Sequence, residues 1–170
     1  MISEVEHYLE MIEDLRILVA ELVRDLPPEA LNWKPIEGQG ERATNSLAVM
    51  AVHVAGAEHF WIGEFAGQLP PTRDRDAEFR TVVKSPKECL DVLDTVAKET
   101  RDVLGTLTPQ ALDEAREVRG KKVTVRWGIL HVIDHTALHL GHMQITYQLW
   151  NEGVAKPMPR WFTRVPGTPE

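Results

Sequence analysis

Four long stretches of the chain carry apolar residues at the 3.6-residue period of an amphipathic helix. They cover about residues 3–25, 45–67, 85–107 and 124–152, with proline, glycine and charged residues between them. No stretch with the two-residue period of a β-strand competes with this pattern. The second and third connections are too long for simple helical hairpins, so the sequence predicts an all-α four-helix bundle with crossover connections.

Local sequence features mark several helix ends. Ser85 is followed by a proline and then by Glu88, which is the pattern of a capping box at the start of the third helix. Thr108 is placed to begin a short extra helix, and Gly153 is placed to end the last one.

Length and composition favour one folded domain over residues 1–170. A chain of 170 residues with 43% hydrophobic residues is long enough to close a single core. The tail, residues 153–170, is rich in proline and is predicted to pack on the bundle or on a dimer partner through Trp161 and Phe162.

Charge and cysteine content narrow the class of protein. The net charge of −7 argues against nucleic acid as a partner, because phosphate contacts need a basic face. A single cysteine, Cys89, excludes an internal disulfide framework and is predicted to be a small core residue. The N-terminus is acidic, which argues against a signal peptide. The sequence has no apolar run long enough to span a membrane, so a cytoplasmic location is expected.

The segment "HVIDHTALHLGHM", residues 131–143, holds four of the seven histidines of the chain. On a helix, His131, His135, His139 and His142 fall within a wedge of about 80° and so share one face. The outer two stand ~16 Å apart, too far to bind one ion. Only neighbouring pairs can chelate a metal: 131 with 135, 135 with 139, or 139 with 142.

Two histidines leave a weak metal site, so a third ligand must come from another helix. The second helix offers His53 on its apolar stripe, whereas His59 is rotated by about 240° and is expected to face outward. A lone histidine on an apolar face is usually a hydrogen-bonded core residue. Several unpaired imidazoles in one core are costly, however, and a shared cation would satisfy them together.

These segments resemble the DinB-like superfamily. The resemblance rests on "HTALHLGH" at residues 135–142, on "SLAVMAVHVAGAEHFWIGEFAG" at 46–67 and on the preceding "LNWKP". It implies a four-helix bundle with up-down-down-up connectivity and a divalent metal held by three residues of the second and fourth helices. Carried over residue by residue, the ligands are His53, His135 and His139. The glutamine that usually follows the motif glycine is His142 here.

Further residues are candidates for supporting the site. Besides His142, they are His131, Asp134, Tyr147 and Glu58, chosen because they lie near the candidate ligands along the two helices. Ordinary structural interpretations compete for each of them: a buried imidazole for His131, packing for Tyr147 and solvation for Glu58. Asp134 would act by orienting the second ring nitrogen of a ligand.

Three neutral nitrogen ligands leave an ion its full charge and an open position, as in catalytic sites. The first hypothesis is therefore a metal-dependent enzyme acting on a small-molecule substrate. The resemblance implies either thiol transfer with a low-molecular-weight thiol or hydrolysis by activated water. Zinc, nickel and iron all suit imidazole ligands.

Two other hypotheses stay open. In the first, the metal is structural and the protein is a non-catalytic dimeric binding or stress-response module. In the second, the histidines form a core cluster without metal. Apolar faces on the first and fourth helices predict a homodimer, whether the protein is an enzyme or a non-catalytic module. The basic run "RGKKVTVR", residues 119–126, would attract an anionic thiol or substrate, or is a solvated loop.

Overall fold

The computed structural model describes residues 1–38 and 43–159. Seven α-helices, one π-helical segment and a β-hairpin make up this part of the chain. In chain order they are α1 (Ser3–Val23), α2 (Pro28–Asn32), α3 (Leu47–Glu58) continued by the π-helical segment (His59–Ala66), α4 (Arg75–Glu78), α5 (Pro86–Thr106), α6 (Pro109–Asp113), β1 (Ala115–Val118), β2 (Lys121–Thr124) and α7 (Val125–Trp150).

The four long helices, α1, α3, α5 and α7, form a bundle with up-down-down-up connectivity. Glu4 accepts a hydrogen bond from Arg126 at 2.7 Å, so α1 and α7 begin at the same end. Thr100, near the C-terminal end of α5, donates to Glu58, at the C-terminal end of α3, at 2.5 Å. The helices α3 and α5 are therefore parallel to each other. Trp127, at the start of α7, packs on the π-helical segment, so α3 and α7 run in opposite directions. The predicted bundle is therefore confirmed.

The bundle interior holds two clusters of buried apolar side chains. One is built around Leu22, Leu47, Leu93 and Met143, and the other around Ile62 and its neighbours from α5 and α7. Cys89 belongs to the first cluster and is completely buried, as predicted for a small core residue. Burial raises the pKa of its thiol to about 11.

Three helix ends follow the sequence features that predict them. Both halves of the capping box between Ser85 and Glu88 are formed. The Thr108 side chain accepts a hydrogen bond from the backbone of Ala111 and begins α6. Gly153, with φ of +89°, follows the end of α7 in a conformation that suits glycine.

Two local structures were not predicted from the sequence. Residues 115–124 form an antiparallel hairpin in which Val118 faces Lys121 across the turn of Arg119 and Gly120. The expectation that no strands compete with the helices is wrong for these few residues, because four-residue strands are too short to give a clear alternation. The π-helical continuation of α3 was also missed.

The tail is described only up to residue 159. Lys156 donates to the backbone oxygens of Glu21 and Leu22, which fixes this part of the tail at the end of α1. The predicted contacts of Trp161 and Phe162 lie outside the described residues. Within residues 1–38 and 43–159, no helix has both the length and the apolar character needed to cross a membrane.

Candidate metal centre

Three histidines from two antiparallel helices meet where α3 packs on α7. His53 comes from α3, and His135 and His139 lie one turn apart on α7. One nitrogen from each ring lies within 4.8 Å of the other two. The ring centroids are 4.4 Å apart for the α7 pair and 5.0 Å from His53 to each partner. The structure thus brings together the three residues that the resemblance implies as ligands.

A carboxylate fixes the orientation of His53. Its Nδ1 lies 2.7 Å from Oε2 of Glu78, so Nδ1–H donates to the carboxylate and Nε2 is the nitrogen left for other contacts. This Nε2 is 3.2 Å from Nε2 of His135. Nε2 of His53 therefore faces the cluster, and Nδ1 is held by a carboxylate, as is usual for a metal-bound histidine.

The environment keeps the two α7 histidines neutral. The pKa of His135 is lowered to about 3 and that of His139 to about 4. Loss of hydration on burial is the main cause, and repulsion from the neighbouring imidazoles adds to it. Neutral rings offer the lone pairs that divalent cations need, and they do so without competition from protons at neutral pH.

The donor set fits a divalent cation. Nδ1 of His135 and Nδ1 of His139 are buried and have no hydrogen-bond partner among the described residues. Unpaired polar atoms in a core cost free energy, and this cluster contains two of them. A cation whose ligands included these two nitrogens would offset that cost.

Glu78 is a site residue that the sequence reasoning missed. It comes from the short helix α4 and is buried with 6% of its surface exposed. Arg73 also binds it, with Nε at 2.6 Å from Oε1 and Nη2 at 2.9 Å from Oε2. Burial by itself raises the pKa of Glu78, but the bonds from Arg73 and His53 outweigh it and hold the pKa below its usual value.

A glycine in α3 makes room for this carboxylate. A Cβ atom on Gly56 would lie 2.1 Å from Oε1 of Glu78, closer than two atoms can approach. Gly56 follows His53 by three residues, on the same face of the helix. A glycine within an otherwise regular helix, one turn from a candidate ligand, was the available sign that another group approaches His53 closely.

The segment before α4 is anchored to the π-helical segment. The backbone N–H groups of Thr72 and Arg73 both donate to Oε1 of Glu64, at 2.6 and 2.8 Å. The Asp74 side chain accepts from the backbone of Ala77 and begins α4. These bonds hold Arg73 and Glu78 in place behind the histidines.

The other predicted histidines lie beside the cluster rather than in it. The ring of His131 stacks on Trp127 with centroids 5.0 Å apart and planes 10° apart, and it is 5.7 Å from the His135 ring. His142 is exposed, with its ring 5.7 Å from that of His139. Asp134 is exposed and does not bond to Nδ1 of His135 or of His139.

Glu58, Tyr147 and His59 make other contacts. Glu58 is buried but binds Arg16 at 2.7 Å and Thr100 at 2.5 Å, so its partners are in α1 and α5. Tyr147 packs on the cluster of apolar residues around Leu93. His59, which was expected to face outward, has a half-buried ring with Nδ1 2.7 Å from Glu99 and Nε2 2.9 Å from Thr72.

A cavity of about 210 Å³ opens beside the histidine cluster. His53 and His135 form part of its wall, together with His131 and two aromatic side chains of the π-helical segment, Phe60 and Trp61. His139 does not line it, so the cavity is walled by two of the three clustered histidines.

The lowered pKa values predict how the stability of the metal-free protein depends on pH. His135 and His139 have a pKa of 6.5 when unfolded and about 3 and 4 when folded. Between these values the unfolded chain binds more protons, so the free energy of unfolding falls as the pH falls from 6.5 toward 4. Urea denaturation with a chelator at pH 7 and pH 4.5 measures the loss. The double variant His135→Gln/His139→Gln should lose less stability, and equal losses would contradict the assignment.

Comparison with known proteins agrees with the fold. The family model of the DinB superfamily matches residues 11–143, a range that includes all three clustered histidines. The uncharacterized protein YkkA of Bacillus subtilis (strain 168) is 26% identical over 157 residues, which cover 85% of this chain and 87% of that protein.

Two solved structures have the same fold. A DinB-like protein from Bacillus cereus ATCC 10987 superposes with a TM-score of 0.72 at 15% identity, over 91% of this chain and 97% of that one. A protein from Enterococcus faecalis superposes with a TM-score of 0.65 at 18% identity, over 88% of this chain and 98% of that one. Because the family model covers well over half of the sequence, the chain belongs to the DinB superfamily.

Proposed function

We propose that the protein is a metal-dependent enzyme whose ion is held by His53, His135 and His139. The observation that carries this proposal is the convergence of three histidine rings, two of which line a cavity. Among the described residues, no fourth histidine, cysteine or carboxylate joins the group. Three protein ligands and an accessible fourth position are typical of catalytic metal sites, whereas structural sites are closed by four.

Each part of the site has a defined task in this proposal. Glu78 holds His53 by its Nδ1–H and strengthens the ring as a ligand, and Arg73 holds Glu78. The neutral state of His135 and His139 keeps their lone pairs available. A divalent ion bound there would lower the pKa of a thiol or water molecule that enters its open position.

The thiol in such a reaction would come from outside the protein. Cys89 is completely buried in the apolar core, and its raised pKa of about 11 keeps it protonated at neutral pH. A low-molecular-weight thiol is therefore proposed as the co-substrate of a transferase. Water in the same position would make the protein a hydrolase.

Cobalt substitution tests for the open position. We expect the cobalt(II)-loaded protein to change its visible and near-ultraviolet spectrum when cysteine is added, because a thiolate joins the ligands of the ion. Serine is the matched control, since it differs from cysteine only in the thiol. The Cys89→Ala variant should give the same change, which excludes the protein's own thiol as its source.

A spectrum that cysteine leaves unchanged, in protein that has bound cobalt, would contradict an open site. The metal would then be structural, and the protein would be a non-catalytic binding or stress-response module. If cysteine alters the spectrum, thiol transfer is screened first and hydrolysis second, with zinc, nickel and iron each loaded in turn.

We also propose that the protein is a homodimer and is located in the cytoplasm. Support for a dimer comes from large apolar side chains that the outer surface of α7 leaves exposed, among them Leu138, Ile145 and Leu149, each 57–58% exposed. Exposed apolar groups that recur along one helix are typical of a surface that another molecule covers.

A further inference from the structure

Of the residues that the structure describes, three arginines and no aspartate or glutamate line the cavity beside the histidine cluster. We propose that Arg75 and Arg119 bind the oxyanion of a small organic substrate, a carboxylate or a phosphate monoester. This inference rests on the proposed function, because it names the class of substrate that the metal-dependent enzyme would accept.

The charge of the cavity is opposite to that of the whole chain. The protein carries a net charge of −7, yet the lining within residues 1–38 and 43–159 contains arginines as its only Asp, Glu, Lys or Arg side chains. Arg73 is neutralised by its two bonds to Glu78. Arg75 and Arg119 are not neutralised in this way, since neither forms an ion pair with a described acidic residue. Two uncompensated guanidinium groups around one small cavity favour an anion there.

The two arginines come from different parts of the fold. Arg75 is the first residue of α4, and its guanidinium lies 4.6 Å above the ring of Phe79. A cation–π contact of this kind occupies none of the hydrogen-bonding capacity of the guanidinium, whose N–H groups can bind an oxyanion. Arg119 lies in the turn of the hairpin, where φ is +50° and the next residue, Gly120, has φ of +75°.

The hairpin turn explains why the basic run of residues 119–126 includes one residue that reaches the cavity. Two consecutive residues with positive φ make the tight two-residue turn that joins β1 to β2. In this turn Arg119 lies at the cavity together with Val118, whereas Lys121 and Lys122 do not line it. Of the two interpretations of this run, attraction of an anion is therefore favoured for Arg119 alone.

The rest of the wall indicates what carries the oxyanion. Phe60, Trp61 and Val118 give the cavity an apolar side. Its volume of about 210 Å³ is below the roughly 300–1,000 Å³ of pockets for drug-sized ligands. The substrate that fits is therefore a small molecule with an apolar body and an anionic group.

Calorimetric titration of the full chain with phenyl phosphate, benzoate and benzyl alcohol tests this inference. We expect one or both anions to bind and the neutral alcohol to bind more weakly or not at all. The anion that binds more tightly identifies the oxyanion as phosphate or carboxylate. Arg75→Gln and Arg119→Gln should each weaken that binding by about fivefold, the upper range for an exposed ion pair.

Matched controls remove an exposed cation from outside the cavity. Arg80 lies near α4 and Lys121 lies in the hairpin, and both are exposed and outside the cavity. The variants Arg80→Gln and Lys121→Gln should therefore bind the anions as the wild type does. A wild-type measurement also bears on the proposal, since anion affinity should fall as salt is raised. Equal affinity for the anions and benzyl alcohol, or unchanged affinity in both cavity variants, would overturn the assignment.

The titrations are run on chelator-treated protein and again with zinc added. Binding that needs the two arginines in chelator-treated protein supports the inference even if no metal is ever found. Binding that appears only with zinc and ignores both arginines would overturn the inference while leaving the metal site intact. The two proposals can therefore fail separately.

Discussion

The variant His139→Ala is expected to lose stoichiometric binding of a divalent metal. One nitrogen from each of the three clustered histidines lies within 4.8 Å of the other two. Without His139, the two imidazoles that remain form only a weak site. Loss of a direct ligand should lower the metal affinity by more than roughly 100-fold, which is the upper end of the range for residues that only orient a ligand. Zinc titration with a competing chelator dye measures the affinity, and circular dichroism checks that the helices are retained.

Neighbouring histidines on the same helix provide the controls. His142→Ala removes an exposed imidazole whose ring is 5.7 Å from that of His139, and it should leave the zinc affinity close to that of the wild type. His131→Ala should do the same, since this ring stacks on Trp127. If His142→Ala abolished binding and His139→Ala did not, the ligand pair on α7 would be assigned wrongly.

The variant Glu78→Gln is expected to weaken zinc binding by about 10- to 100-fold, the range for a residue that orients a metal-bound histidine. The amide still accepts a hydrogen bond from His53, but it lacks the charge that strengthens the ring as a ligand. It also leaves Arg73 without the carboxylate that binds it at 2.6 Å. The readout is the zinc dissociation constant, with the melting temperature of the metal-free protein measured separately.

Glu99→Gln is a matched control for this variant. Glu99 binds His59, a histidine of the same helical stretch, at the same 2.7 Å distance that separates Glu78 from His53. His59 is not part of the cluster, so this change should leave the zinc affinity unaltered. Equal weakening by the two variants would mean that Glu78 acts through stability and not through His53.

The helices and the three histidines could be predicted because their evidence is local in the sequence. Apolar periodicity depends only on neighbours within a few turns, and the spacing of His135 and His139 by four residues places both rings on one face. The choice of this pair over its neighbours, and the up-down-down-up connectivity, came from the family resemblance and not from the spacing.

The surroundings of the histidines could not be predicted in the same way. Glu78 follows His53 by 25 residues and reaches it through a helix of four residues, too short for a periodic pattern. Glu58 was interpreted as a residue near the site or a solvated one, but it pairs with Arg16 in the core, 42 residues away. Contacts of this kind depend on how the connections fold over the bundle, and no local pattern encodes them.

The most direct test is X-ray diffraction from zinc-loaded crystals, with data collected on both sides of the zinc absorption edge. We expect one anomalous peak per chain at about 2.0–2.1 Å from a nitrogen of each of His53, His135 and His139. We also expect that no protein atom occupies the fourth position. An anomalous map without a peak at the three rings, or a peak closed by a fourth protein ligand, would contradict the proposed metal centre.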